Sequence, residues 1–544
     1  MPPISLQETP VAPARAQAPR IGALEPLQMP VFRLLWSTWL IANVCMWMND
    51  VAAAWMMSSL TTTPLWVALV QSASTLPVFL LGLPSGALAD ILDRRRWLVA
   101  TQLWLAGVAI VLCATVALDL MSAPLLLALT FANGIGLALR WPVFSAIVPE
   151  LVPRTHLPAA LGLNGIAMNA SRIIGPLAAG ALIASAGSVW VFVLNAVLSV
   201  ASGFIVLRWR RQHTPSPLGR ERLIGAMRVG MQFVRQSHRM RAVLARVAIF
   251  FLHSTALLAL LPLLARGLRG GGAGTFTLLL AAMGTGAIVA VLFLPRLRQD
   301  LERDQLVLRG TLLQSAATAV MAFAPTAWVA VPAMFFGGMA WIAVANSLSV
   351  SAQLALPDWV RARGMSMYQM AIMGASAFGA ALWGQVATVG SLRASLGVAA
   401  ISGTVAMLVA LRFVNEADGH GEEDDMSPAQ PGWAAGPPAE APGEAGRVVV
   451  TVEYLIDPAR AVAFHQVMQE TRRARLGQGA IAWHLMHDIA QPERFVEQIV
   501  DESWTEHRRR FHRATAADLA LRERRLAFHQ GETTPLITRY VERR

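Results

Sequence analysis

Cysteine is almost absent from this chain: two residues in 544, Cys45 and Cys113, each inside an apolar run. That excludes a disulfide framework and a thiolate metal site. Charged residues make up only 14% of the sequence, and the Pro- and Ala-rich residues 1–30 hold no apolar segment of the kind a cleavable signal needs. No nucleotide-binding glycine loop, catalytic triad or flavin fingerprint is present, so neither a cofactor nor a resident metal is expected. What abounds is apolar side chain, 55% of residues with a mean hydropathy of +0.49. An ordinary soluble protein is less apolar than this.

The apolar residues fall in runs near the length at which a helix crosses roughly 30 Å of hydrocarbon. Twelve spans are expected, at 34–59, 65–85, 97–118, 123–147, 158–185, 188–207, 242–265, 275–295, 306–324, 327–353, 364–389 and 394–413. The fold class is therefore an all-α membrane protein. A net charge of +12 raises nucleic acid as a partner, but the arginines sit in clusters at alternate loops: Arg94 to Arg96, Arg154, the stretch 208–241, Arg296 to Arg303, and Arg361 with Arg363. The intervening loops are nearly bare, with Arg266, Arg269 and Arg393 as exceptions. This asymmetry points to a multi-pass protein of a bacterial inner membrane with both termini in the cytoplasm, touching lipid and not nucleic acid.

The chain divides into a cytoplasmic tail (1–30), a six-helix half (31–207), a cytoplasmic amphipathic linker (208–241), a second six-helix half (242–414), an acidic Pro/Gly-rich linker read as disordered (415–446) and a small soluble domain (447–544). The halves echo each other. "PELVPR" at Pro149 returns as "PDWVRAR" at Pro357, an offset of 208 that also carries Arg95 onto Arg303. Duplicated six-span units around a central cavity are a transporter architecture. The last domain reads β-α-β-β-α-β, an α+β ferredoxin-like order, with its second helix expected as one piece through "WTEHRRRFHRATAADLALRERRLAFH".

Two motifs carry a family resemblance. Gly86, Leu88, Ala89, Asp90, Arg94, Arg95 and Leu98 resemble the loop signature G-x-L-A-D-R-x-G-R-[KR]-x-x-L of the major facilitator superfamily, with Ile91 and Asp93 departing from it. Gly162, Gly175, Pro176 and Gly180 resemble the pattern G-x8-G-x3-G-P-x2-G-G of its antiporters, with Ser171 and Ala179 in place of two glycines. The resemblance covers about residues 25–415 and is nearest to the branch of enterobactin exporters and secretion effectors. It implies the twelve-helix major facilitator fold, a conformational latch at Gly86, Asp90, Arg94 and Arg95, and proton antiport. "ERFVEQIVDESWTEHRRRFHR" is similar to the antibiotic-biosynthesis-monooxygenase group of dimeric α/β barrels. That likeness implies a homodimer through this domain and nominates Trp504, His507, His484 and His487 should it be catalytic; dimerisation or sensing is the leading reading.

Ionisable groups within spans mark a transport path, because charge in hydrocarbon is costly. Asp50 lies 17 residues beyond Arg33 and Arg172 lies 18 beyond Arg154, so both sit about 25 Å from the inner interface. They are expected to form a charge pair or proton-sensitive switch, with Asn49 and Asn169 as hydrogen-bonding neighbours. Arg140 is expected near the cytoplasmic surface, snorkelling or touching an anionic cargo. The expected function is export of a small organic molecule (siderophore, drug or secondary metabolite) by proton antiport and alternating access. A fused transporter and oxygenase, or a lysophospholipid flippase, are the alternatives.

Overall fold

A computed structural model describes residues 24–91, 93–208, 223–413 and 446–542. Most of the expected tail and acidic linker lie outside these residues. Twelve helices among the described residues are long and apolar enough to cross a bilayer. The first six are α1 (Pro30–Leu60), α2 (Pro64–Ile91), α3 (Arg94–Ala117), α4 (Ala123–Leu151), α5 (Leu157–Ala186) and α6 (Ser188–Arg208). A short α7 (Leu223–Gln236) follows, then α8 (His238–Gly267), α9 (Ala273–Asp300), α10 (Arg303–Phe323), α11 (Ala327–Leu354), α12 (Asp358–Val389) and α13 (Leu392–Phe413). The repeat is visible in the helices: α8 starts 208 residues after α1, and α9 starts 209 after α2.

Several helices outrun their apolar runs at the arginine-rich end, where the expected α3, α8 and α12 began three to six residues later. In α3 and α8 backbone hydrogen bonding continues past the apolar run because polar caps hold the first turns. The Asp93 side chain accepts from Arg96 N at 2.9 Å, and Ser237 Oγ accepts from Met240 N at 3.2 Å. The other end closes in short turns.

The halves meet along two seams. Between α2 and α12, Ser72 Oγ donates to Ala377 O at 2.6 Å, and Leu65 N donates to Thr388 Oγ1 at 3.0 Å. Between α5 and α9, Thr277 Oγ1 donates to Gly180 O at 2.6 Å. Within the second half, α9 and α11 touch backbone to backbone: a Cβ on Gly338 would strike the carbonyl of Met283, and one on Gly286 the carbonyl of Phe335. Close approach of this kind is how helices bind one another where lipid removes the hydrophobic drive.

The C-terminal unit contains β1 (Val448–Leu455), α14 (Ala461–Gly477), β2 (Ala482–His487), β3 (Arg494–Asp501), α15 (Trp504–His512), α16 (Ala516–Leu526) and β4 (Leu536–Val541). Its antiparallel sheet has the order β2-β3-β1-β4, with Val450 opposite Ile499 on one side and Arg539 on the other. Val448, Val450, Val452 and Tyr454 alternate inward and pack on Phe464 and Met468 of α14. The expected single second helix is two. Thr515 starts α16 afresh through a reciprocal capping box with Asp518, a local signal that outweighs helical continuity across Arg513 and Ala514.

Fully buried Glu497 fastens this core. It accepts from Tyr454 Oη at 3.0 Å, Trp483 Nε1 at 3.0 Å and Arg475 Nε at 3.2 Å. Burial works to raise its pKa, but Arg475, Arg525 and these bonds prevail and hold it at about 2, against an ordinary 4.5.

The linker helix α7 reads in sequence as lying on a lipid leaflet. In the structure its apolar face is covered by protein. Val229 and Val234 are buried, and Phe233 meets Trp359 of α12 edge to face at 5.6 Å. Arg228 Nη2 pairs with Glu502 at 2.5 Å, Gln232 Nε2 donates to Ala480 O at 3.4 Å, and Arg513 lies 5.3 Å over Trp359. The C-terminal unit thus docks on the arginine-rich end of the membrane half.

Two stability predictions follow from these contacts. Gly338→Val should lower the thermal midpoint of the purified protein through an overpacking cost of about 1–3 kcal/mol. Gly107→Val, where a Cβ meets nothing within 4 Å, should leave that midpoint unchanged. The Glu497 contribution is complete above pH 4.5 and fades as pH falls toward 2. Amide protection factors in residues 447–541 of the full chain, corrected for the slower intrinsic exchange in acid, should fall over that window. Glu497→Gln should lessen the acid dependence while costing about 3 kcal/mol at neutral pH.

Candidate functional site

A cavity of about 210 Å³ lies between the halves, walled by α1, α2, α4, α5, α8, α9, α11 and α12. Its surface is mainly apolar and pliable, with Met46, Met168, Met283, Met373, Phe251 and Trp341 among its residues. Pro176 of α5 and Pro262 of α8 also face it. Proline inside a spanning helix frees a backbone carbonyl, which is tolerated beside a cavity or a neighbouring helix.

The cavity brings together Asp50, Arg140 and Arg172, but the expected pairing of Asp50 with Arg172 is not made. Ser74 Oγ of α2 instead lies 2.9 and 3.0 Å from the two carboxylate oxygens of Asp50. The Arg172 guanidinium lies over two indole rings, 5.8 Å from that of Trp47 and 5.6 Å from that of Trp341, and its buried Nε has no hydrogen-bond partner. Both groups line the same cavity. The sequence could not give their azimuth around the helix axes, and azimuth decides partners.

Arg140 does not snorkel to the surface. It is 5% exposed, lies 5.3 Å over the Trp39 ring and lines both the central cavity and a smaller one beside Cys45 and Asn195. Asn49 turns away from the cavity and accepts from Asn195 Nδ2 at 3.2 Å, joining α1 to α6. The side chains of Asn169, Gly86, Asp90 and Arg94 lie outside the described residues. Arg95 ties α3 to α6, its Nη2 donating to Leu207 O at 2.7 Å.

The antiporter-pattern positions divide by role. Pro176 lines the cavity, and a Cβ on Gly175 would collide with the Cβ of Trp47, so this glycine sets the distance between α5 and α1. Gly180 lies against Thr277 across the seam, whereas Gly162 has open space around it. Among the tryptophans of the spans, Trp47 and Trp341 line the cavity. Met48, Met56 and Met57 pack into the helical core of the first half, and Met365 and Met367 into that of the second. Trp39, Asn43 and Ser74 were missed. Ser74 had a legible signal, standing with Gln71 and Thr75 as a polar stripe in an apolar span.

The cavity is shut at the short-turn end. Trp55 stacks on Phe276 with ring centres 5.0 Å apart, and Arg266 covers Trp55 at 4.4 Å while its Nε donates to Ser58 Oγ at 2.9 Å. Arg266, an exception to the charge asymmetry, is therefore a clasp between the halves. Toward the other end, seven residues further along each helix from Gly180 and Thr277, a Cβ on Gly284 would lie 3.3 Å from Ile173 Cγ2. Another seven residues return to nearly the same faces, yet Ile166 and Val291 there are 59% and 50% exposed. The α2–α12 seam stays closed as far as Gly82 and Met370.

In the C-terminal unit the four nominated residues do not converge. His507 is buried, with Nδ1 2.7 Å from Asp501 Oδ2, and Trp504 lies 5.4 Å from it. His487 stacks on Phe495 at 4.4 Å, and His484 follows the other face of β2. No group of three His, Cys, Asp or Glu able to hold a metal occurs among the described residues.

Residues 21–544 match the family described as transmembrane secretion effector. A staphyloferrin A transporter of Staphylococcus aureus is 22% identical over 46% of this chain and 63% of its own length. Macrolide efflux protein A of Streptococcus pyogenes is 25% identical over 31% of this chain and 40% of its own. The chain thus spans less than two thirds of either relative. The crystal structure of the nucleoside transporter NupG superposes with a TM-score of 0.57 at 12% identity, covering 70% of this chain and 99% of that one, a likeness of fold.

The clasp makes a direct prediction. Arg266→Ala should let a membrane-impermeant maleimide reach Ala54→Cys from the short-turn side, with labelling several-fold faster than when Arg266 is intact.

Proposed function

Because the chain belongs to the transmembrane secretion effector family, whose match spans nearly its whole length, we propose that it is a secondary transporter exporting a bulky, mainly apolar organic anion by proton antiport. The observation that carries this reading is the pliable, aromatic-lined cavity with Arg140 and Arg172 in its wall. Each guanidinium stacks on indole and keeps donor capacity free for a carboxylate or phenolate of the cargo. The names of the two curated relatives, one a siderophore transporter and one a macrolide efflux protein, favour cargo of that size. Asp50, held by a hydroxyl and not by a cation, is free to exchange a proton without breaking an ion pair. With the arginine-rich end in the cytoplasm, the sealed short-turn end corresponds to an inward-facing state.

The exposure of Ile166 on α5 and Val291 on α9 favours one second reading. A cargo with an acyl chain could enter sideways from the inner leaflet, as a lysophospholipid would. The C-terminal unit is read as a non-catalytic attachment, dimerising or sensing.

The test is untargeted mass spectrometry of medium and cells from bacteria carrying the intact gene, Arg172→Gln or Asp50→Asn. A compound found outside only with the intact gene, and retained inside by at least ten-fold more with Arg172→Gln, is the expected result. Asp50→Asn should make its export indifferent to the proton gradient. An unchanged medium with altered membrane lipids would replace this reading with the flippase.

A further inference from the structure

The helices of the C-terminal unit enclose a cleft of about 30 Å³ between α14, α15 and α16. Its wall is strongly basic: Arg475, Arg510, Arg522 and Arg525 face one carboxylate, that of Asp518. Asp518 is already engaged as a cap, accepting from Thr515 N and Thr515 Oγ1, each at 2.8 Å. Arg475 is committed to Glu497, and Arg510 Nη2 donates to Asp501 Oδ2 at 3.1 Å.

What remains is donor capacity without an acceptor. Arg525 is 8% exposed and Arg510 is 4% exposed, and the Nε of each is buried without a hydrogen-bond partner. Burial and the neighbouring Arg475 hold the Arg525 guanidinium below its ordinary range against the attraction of Glu497, and its Nε keeps no hydrogen-bond acceptor. A buried cationic donor lacking a partner is a costly arrangement. The group that relieves it is an oxyanion, whose oxygens match the guanidinium fork.

We propose that this cleft binds a small molecule through an oxyanion head group, a carboxylate or a phosphate, with Arg525 and Arg510 at its floor and Arg522 at its mouth. By the same measure of volume a single water needs about 10–15 Å³. The cleft therefore takes a head group while the remainder of the ligand projects outward. The site also lies next to the docking surface. Gln478 borders the cleft, and its carbonyl accepts from Arg513 Nη1 at 2.8 Å; Arg513 in turn covers Trp359 of α12. Gly479, in the left-handed region at φ +114°, lies against Val229 of α7. A ligand that shifts the end of α14 therefore bears on the two helices that join this unit to the membrane half.

The test is isothermal titration calorimetry of the full-length protein in detergent and chloride buffer, with inorganic phosphate in one arm and succinate in the other. At least one should bind, and which arm responds separates a phosphorylated ligand from a carboxylic acid. Arg525→Gln should weaken binding at least ten-fold, and Arg522→Gln, at a half-buried position that keeps the core intact, several-fold. Arg172→Gln, which alters only the membrane cavity, should leave binding unchanged. Absence of heat in both arms would overturn the proposal, as would binding indifferent to Arg522→Gln and Arg525→Gln or binding abolished by Arg172→Gln.

Discussion

A guanidinium cannot rest in an apolar helical bundle without a partner, and in the membrane half tryptophan faces supply it. A charge at such a depth costs about 2.5–3.5 kcal/mol, and a desolvated cation over an indole regains up to about 2. Arg172 has two such faces and Arg140 has one. Trp39, Trp47 and Trp341 must therefore stand where they do, on α1 and α11, with α4 and α5 bringing the arginines opposite. Because stacking uses the faces of the guanidinium and not its hydrogen bonds, the donors remain available to whatever enters the cavity.

The same economy shapes the seams. At the short-turn end the halves are joined by an indole stacked on a phenyl ring, an arginine clasp and a glycine against a threonine. These contacts form and break without stranding a charge in lipid. The α2–α12 seam is in contact from Leu65 and Thr388 to Gly82 and Met370, whereas Ile166 of α5 and Val291 of α9 are exposed, and the proposed motion takes the first seam as its pivot and the second as its opening. On the far side of that pivot the C-terminal unit grips α7 and Trp359 through ion pairs and cation–π contacts, in reach of water.

Much of this was legible in the sequence, because span length, charge asymmetry and an offset repeat are one-dimensional consequences of a bilayer. Twelve apolar spans followed from run length, and the four strands of the last unit from alternation, while its second helix came out as two. Position along a helix could be counted from the arginines, and Asp50 and Arg172 do line one cavity. Rotation about the axis could not be counted: it separated Asp50 from Arg172, gave it Ser74, and turned Asn49 toward Asn195. The Thr515–Asp518 capping box was legible but was outweighed by the helical run around it, and sequence could not show that Arg266 joins the two halves. The basic cleft of the C-terminal unit was hidden because its arginines come from three helices with no shared spacing.

The central claim is that the halves swing about the closed seam and expose the arginine-lined cavity by parting α5 from α9. Double electron–electron resonance between nitroxides at Ile166→Cys and Val291→Cys, with Cys45 and Cys113 replaced by serine, tests it most directly. The account predicts two distance populations, long and short, whose balance shifts with pH, while labels at Leu65→Cys and Thr388→Cys keep a single short distance. One unchanging distance between Ile166→Cys and Val291→Cys under every condition would contradict it.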